Sequence, residues 1–281
     1  MKLGFLTDYS EERLAFASDW GYDCLSVHYP SIKEATGGAE TDDRAVARIR
    51  DLMAQAEVDI SAIALYGRRI TDPPEDVLDD YRHAMTLAEK LGVGVLAAVP
   101  GADPELTLNK NIPLFKQVFE PIAREAEDRG IRIAFENWPA VRGYPWKIGS
   151  VAFSPRGWEM MFEAVDSDAL GLEFDPSHLE WQGIDPVAAA ADWSDKIYHV
   201  HAKDTEIFDD RLAAYGIYEK GWWRYRIPGF GVVDWVGFFN VLREAGYDGG
   251  VVVEHEDPVF AGERFDEGLE HAVRFLAPFV R

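Results

Sequence analysis

Four short stretches decide how this chain is read: Ile133-Ala134-Phe135-Glu136-Asn137, Glu173-Phe174-Asp175-Pro176-Ser177-His178, His199-Val200-His201-Ala202-Lys203-Asp204 and Val251-Val252-Val253-Glu254-His255-Glu256. Each is an apolar run that stops on a carboxylate or an imidazole. A core strand has no structural need for a charge at its tip, and burying an unpaired one is costly. Four such tips make sense when they converge on one cation. Taken singly, each acid has a bland alternative, capping a helix or pairing with Lys203, Arg224 or Arg226. Four at matching strand ends fit that alternative poorly.

Working outward, eight apolar, β-branched runs are each followed by a helical pattern. They are Leu3–Thr7, Cys24–His28, Ile60–Leu65, Val93–Val99, Ile131–Glu136, Leu170–Asp175, Ile197–His201 and Gly250–Glu254. Several are continuous rather than alternating, as strands covered on both faces should be. Asp72-Pro73-Pro74-Glu75, Ser154-Pro155 and Asp185-Pro186 read as helix openings, and Gly92, Gly130 and Gly246 as helix stops. Eight strand–helix units predict a single (β/α)8 barrel of the TIM type over residues 1–281. No Gly-x-Gly-x-x-Gly turn follows the first strand, which counts against an open doubly wound sheet.

Two connections exceed what a barrel needs: Trp138 to Lys147 after the fifth strand, and Ile207 to Gly231 after the seventh. Both fall on the C-terminal face, where such loops serve as lids or subunit contacts. Their Trp and Tyr suit flat ligand surfaces and their Arg suits oxyanions, so Trp138, Arg224 and Arg226 are candidate substrate contacts.

Asp and Glu number 50 against 28 Lys and Arg, a net charge of −22. That balance repels nucleic acid and anionic membranes, and neither is an expected partner. No apolar run reaches the roughly 18 residues of a membrane helix. The opening Met-Lys-Leu-Gly-Phe-Leu-Thr-Asp is too short and too acidic for a signal peptide. One cysteine, Cys24, permits no internal disulfide, and a cytoplasmic location is the expectation. Cys24 opens an apolar strand and reads as an inert core thiol.

Strand alternation then sorts the site. His199 and His201 share a face, as do Glu173 and Asp175, and Glu254 and Glu256. Only the residue nearest the C-terminal end reaches a site above the barrel. That nominates Asp175, His201 and either Glu254 or Glu256, together with Glu136. Three carboxylates and one imidazole form a hard donor set with no thiolate to select zinc. One Mn2+ is the expected ion, with Mg2+, Co2+, Fe2+ and Zn2+ compatible. His178, three residues beyond Asp175, is open to contact with a substrate oxygen, which is the favoured reading, to a second metal or to bracing the loop, and Lys203 is a further candidate substrate contact. His28 and Tyr66 also end strands, while His83, His255 and His271 are assigned nothing.

In this order, Phe135-Glu136-Asn137, Phe174-Asp175-Pro176-Ser177-His178, His199-Val200-His201-Ala202-Lys203-Asp204 and Pro228-Gly229-Phe230-Gly231 followed by Val233-Asp234-Trp235 resemble the xylose-isomerase-like TIM-barrel superfamily, in particular its sugar phosphate isomerase/epimerase branch. The resemblance lies in the second half of the chain. It implies Glu136, Asp175, His201 and Glu254 as metal ligands, with Glu136 and Glu254 as acid and base and His178 on a substrate hydroxyl. The implied activity is isomerisation or epimerisation of a sugar or cyclitol ketone, by proton removal next to a polarised carbonyl. A lyase or dehydratase acting on a keto-sugar, keto-glycoside or inosose by β-elimination is the alternative, and a non-catalytic carbohydrate-binding barrel a further one. Ketose epimerases carry an arginine shortly after the seventh-strand histidine, where this chain reads Asp204-Thr205-Glu206-Ile207. The DNA-repair branch places an Asp-x-His metal pair where Arg224-Tyr225-Arg226 stands, and two cations there would repel extra metals. A homo-oligomer is expected from the aromatic loops.

Overall fold

Parallel pairing closes eight strands into a ring in the computed structural model, which describes residues 1–143 and 146–281. In chain order the strands are β1 (Lys2–Thr7), β2 (Cys24–His28), β3 (Asp59–Leu65), β4 (Val95–Ala98), β5 (Arg132–Glu136), β6 (Leu170–Phe174), β7 (Ile197–Ala202), β8 (Asp204–Ile207), β9 (Trp223–Arg226) and β10 (Gly250–Val253). The ring runs β1-β10-β7-β6-β5-β4-β3-β2, and β8 and β9 form a separate two-stranded sheet. Helices cover the outside, among them Pro74–Leu91, Leu108–Arg129, Pro155–Ala164, Trp235–Glu244 and Phe265–Val280. This is the (β/α)8 barrel that the strand–helix rhythm predicts. No helix is long and apolar enough to cross a membrane among the described residues.

Outer packing fixes which side chains face the barrel axis. Phe135 lies edge-on to Phe119 of the helix Leu108–Arg129, ring centroids 4.8 Å apart. Phe174 stacks on Phe238 at 5.5 Å and lies against Trp158 at 5.8 Å. Each such ring contributes about 1.5–3 kcal/mol by leaving water. Because side chains alternate along a strand, anchoring Phe135 outward turns Glu136 inward, and anchoring Phe174 outward turns Glu173 and Asp175 inward. The apolar anchors therefore aim the acids.

Helix ends follow the expected chemistry in most places. Ser154 caps with its hydroxyl accepting from Gly157 N, and Asp185 accepts from Val187 N and Ala188 N. Gly92 and Gly130 take left-handed conformations at φ 77 and 64. Asp72 departs from its expected capping role: its carboxylate accepts from Arg69 N at 2.9 Å, and Pro73 holds the cap position instead. Cys24 is buried, and burial pushes its thiol up to about 12.

The stretch after β7 is more than an irregular loop. Its two ends pair as the antiparallel ribbon β8–β9, with Asp204 opposite Arg226 and Glu206 opposite Arg224. The buried Asp204 carboxylate ties the ribbon down, accepting from Thr205 N, Gly229 N, Val233 N and Trp235 Nε1 at 2.9–3.0 Å. Gly231 passes so close that a β-carbon there would fall 2.2 Å from Asp204 Oδ1. Trp223 on the ribbon stacks on Trp181, centroids 4.6 Å apart and planes within 4°. In the loop after β5, Tyr144 and Pro145 lie outside the described residues.

Candidate active site

Four strand ends converge as their sequence suggests. Glu136, Asp175, His201 and Glu254 each offer a ligand atom, and these atoms all lie within 4.8 Å of one another. Glu136 ends β5, and Asn137 clamps that end to the next strand. The Asn137 amide accepts from Asp175 N at 2.6 Å and donates to Asp175 O at 2.8 Å. Asp175 divides its carboxylate: Oδ1 accepts from Ser177 N at 2.8 Å, capping the short helix Pro176–Glu180, while Oδ2 faces the cluster.

His201 sits at the centre with its two ring nitrogens in different company. Nε2 lies 3.1 Å from Glu173 Oε1 and 3.3 Å from the Tyr66 hydroxyl, which itself donates to Glu173 Oε2 at 2.6 Å. Nδ1 lies 3.2 Å from Glu254 Oε2 and 3.5 Å from Glu136 Oε1. Below, Glu173 Oε1 also meets His199 Nδ1 at 2.8 Å, and Ser61 Oγ lies 3.0 Å from His199 Nε2. Glu173, His199 and His201 are completely buried. With Glu173 ionised, His201 donates from Nε2, and a cation in the cluster would take the place of the proton on Nδ1.

Lys203 brings a positive charge into the same space. Its buried ammonium donates to Glu254, meets Glu256 Oε2 at 2.9 Å and Asp175 Oδ2 at 3.1 Å, and lies 3.4 Å from His178 Nε2. It also sits over the Tyr225 ring, 4.4 Å from the centroid. His178 in turn bonds the Tyr225 hydroxyl through Nδ1 at 2.7 Å and Glu136 through Nε2 at 3.2 Å.

The proton affinities follow from this packing. Burial and the nearby Glu254 push Glu136 up to about 7, against the pull of His201 and Lys203. Burial works the same way on Glu254, but Lys203 and His201 outweigh it and hold Glu254 well below the usual carboxylate range. Burial disfavours a charged His201, yet Glu173 and Glu254 raise it well above an ordinary imidazole. Burial and the Lys203 charge push His178 down to about 4, leaving it neutral. Burial opposes a charged Glu173, but His201 and His199 draw it down to about 2.

The donor set fits a divalent cation. Asp175 Oδ2 and His201 Nδ1 are buried without a hydrogen bond, although Lys203 Nζ stands 3.1 Å from the first and Glu254 Oε2 3.2 Å from the second. Both atoms face the same cluster. A cation held there would sit among the carboxylates of Glu136, Asp175 and Glu254 and take the place of the second proton on His201. Glu173, His199 and His201 form a second close group, but the contacts to Ser61 and Tyr66 already engage it. It is a hydrogen-bonded scaffold beneath the first.

A cleft opens above these groups. Glu136, Glu254, His178, Lys203 and Trp138 line it, joined by Tyr66, Arg69 and Glu256. Arg224 and Arg226 stand elsewhere. Arg226 pairs with Asp257 at 2.7 Å and with Glu206 at 2.6 Å, and Arg224 pairs with Glu206 at 2.7 Å. Alternation along the strands puts Glu173 and His199 on the inner face without assigning them a role, while nothing in the sequence singles out Arg69.

Known proteins resemble this chain in part and in whole. It is 32% identical over 163 residues to the uncharacterized protein YfiH of Bacillus subtilis, covering 54% of this chain and 48% of that one. It is 29% identical over 118 residues to an inosose dehydratase of Lacticaseibacillus casei, covering 40% and 39%. The chain thus spans less than half the length of these two curated relatives. Among solved structures, an IolI protein with a bound zinc atom superposes with a TM-score of 0.75 at 18% identity, over 100% of this chain and 98% of that one. An L-ribulose 3-epimerase gives 0.73 at 16%, over 99% and 94%. At those identities the likeness is one of fold. A family model described as xylose isomerase-like TIM barrel matches residues 14–278, and the chain belongs to that family.

Proposed function

We propose that the protein is a divalent-metal-dependent isomerase or epimerase of a sugar or cyclitol ketone, working by proton transfer at the carbon beside the carbonyl. The observation that carries the reading is the convergence of ligand atoms from Glu136, Asp175, His201 and Glu254, with no hydrogen bond made by Asp175 Oδ2 or His201 Nδ1. These four residues would hold the ion, manganese first among the candidates. When bound, the ion would supply electrophilic polarisation of the substrate carbonyl.

The chain's own groups do the rest. Glu136 and Glu254 come from strands three apart around the ring and both line the cleft, so two carboxylates share the removal and return of the proton. His178, neutral and braced by Tyr225, contacts a substrate hydroxyl and steadies Glu136. Lys203 balances Asp175, Glu254 and Glu256 and contacts a substrate oxygen. Trp138 and Tyr66 wall the cleft. Arg224 and Arg226 serve the substrate indirectly by holding the ribbon that carries Tyr225.

A second reading shares the first step and is favoured by the inosose dehydratase relative. After proton removal the electron pair expels a β-oxygen substituent instead of recapturing a proton, which gives an enone and water or an alcohol. Incubating manganese-loaded protein with keto-sugars and inososes in D2O separates the two. Epimerisation leaves deuterium at a retained carbon, and elimination leaves an ultraviolet-absorbing enone. Failure of every candidate either to exchange its α-proton or to lose it to an enone would sink both.

A further inference from the structure

The geometry points to Arg69 as the anchor for a carboxylate on the substrate, so that the substrate is a sugar acid rather than a neutral sugar. The inference rests on the reading that the cleft binds a polyhydroxy carbonyl compound. Two adjacent arginines follow β3 and behave differently. Arg68 pairs with Asp80 at 2.6 Å. Arg69 lines the cleft, and its guanidinium has no carboxylate within 4.0 Å among the described residues. The nearest candidate acid in sequence, Asp72, spends its Oδ2 on the Arg69 backbone N–H at 2.9 Å.

The other cations near the site are already matched. Lys203 meets three carboxylates, and Arg224 and Arg226 are held by Glu206 and Asp257. In a chain with 50 acids and 28 bases, a guanidinium left unmatched at the cleft is the group with spare capacity for an anion. The fold also makes room for it. Gly101 has φ +76, and a β-carbon there would fall 2.8 Å from Arg69 Cβ and 2.9 Å from its Cγ. The loop is fixed as well, since Ile70 N donates to Pro100 O at 2.8 Å. One fork suits a carboxylate, which it meets through two parallel hydrogen bonds. A phosphate dianion would face Glu136, Glu254 and Glu256 with a single unmatched cation to receive it.

The test titrates the manganese-loaded protein with D-glucuronate, its neutral isostere D-glucuronamide, and D-glucose 6-phosphate, by ligand-observed NMR. Wild type should bind glucuronate about tenfold or more tighter than glucuronamide. Arg69→Gln should bring the two affinities together while leaving glucuronamide unchanged, and Arg69→Lys should keep part of the preference. Equal or absent binding of the two in wild type overturns the assignment. So does a preference that survives Arg69→Gln, or one for the phosphate. Deuterium exchange on the same preparations keeps the two readings apart. Exchange without a carboxylate preference sinks the anchor alone, whereas a preference with neither exchange nor enone formation sinks the proton transfer.

Discussion

Nε2 of His201 lies 3.1 Å from Oε1 of Glu173, on the side of the imidazole away from Glu254. Through that contact a completely buried acid one layer down sets which nitrogen the histidine presents to the cleft. Outer partners of this kind orient metal-binding imidazoles. Glu173→Gln should therefore weaken Mn2+ binding about 10- to 100-fold, read by competition with a chelating dye. Co2+ added to the variant should also show an altered visible spectrum. An unchanged affinity would mean that His201 needs no such support.

Lys203 is the second testable part. Its side chain is buried among Asp175, Glu254 and Glu256. Lys203→Met would strand those charges, with an expected loss of about 3–5 kcal/mol in the metal-free protein. Mn2+ should recover more stability in this variant than in wild type. Denaturant unfolding with and without the ion gives the comparison, and equal recovery in both proteins would contradict it.

The proton-transfer roles predict a separation of activity from stability. Glu136→Gln and Glu254→Gln should each lower α-proton exchange by about 10²- to 10⁴-fold. Melting temperature and far-ultraviolet circular dichroism should change little for Glu136→Gln. Retained exchange in either variant would remove that residue from the chemistry.

Glu180 supplies a pH prediction away from the cluster. Partial burial first, then Asp204, Asp185 and Asp234, push this carboxyl up to about 7. A raised folded value means the native state favours the proton. Its contribution is present below the ordinary value near 4.5 and is lost as pH rises through about 7. Glu180→Gln should thus stabilise the protein at pH 8 and have little effect at pH 4. Because the group is half exposed, the gain is discounted to about 1 kcal/mol. Melting curves of both proteins at the two pH values provide the check, and a gain of equal size at both would refute it.

Much of the frame was legible because apolar runs ending in acids are rare without cause. Glu136, Asp175 and His201 were readable from that contradiction, whereas strand alternation left Glu254 and Glu256 open and only the family resemblance favoured Glu254. Glu173 and His199 were harder. They share the inner face, but a sequence does not say whether an inward polar residue reaches the cleft or pairs within the layer below. The ribbon hid for another reason: Trp223–Arg226 is short and carries two arginines, whose opposite charges lie far off in sequence. Arg69 hid because local sequence does not tell which of two neighbouring arginines turns inward.

The excursion from Asp204 to Trp235 leaves and rejoins the barrel at a single carboxylate. It is fastened like a cassette, with one latch at both ends and Trp223 laid on Trp181 as a stop. A transplant cut at Asp204 and Trp235 would exchange the roof together with Tyr225, which lies against both Lys203 and His178. Any replacement insert has to bring its own counterpart of Tyr225, the brace for the floor.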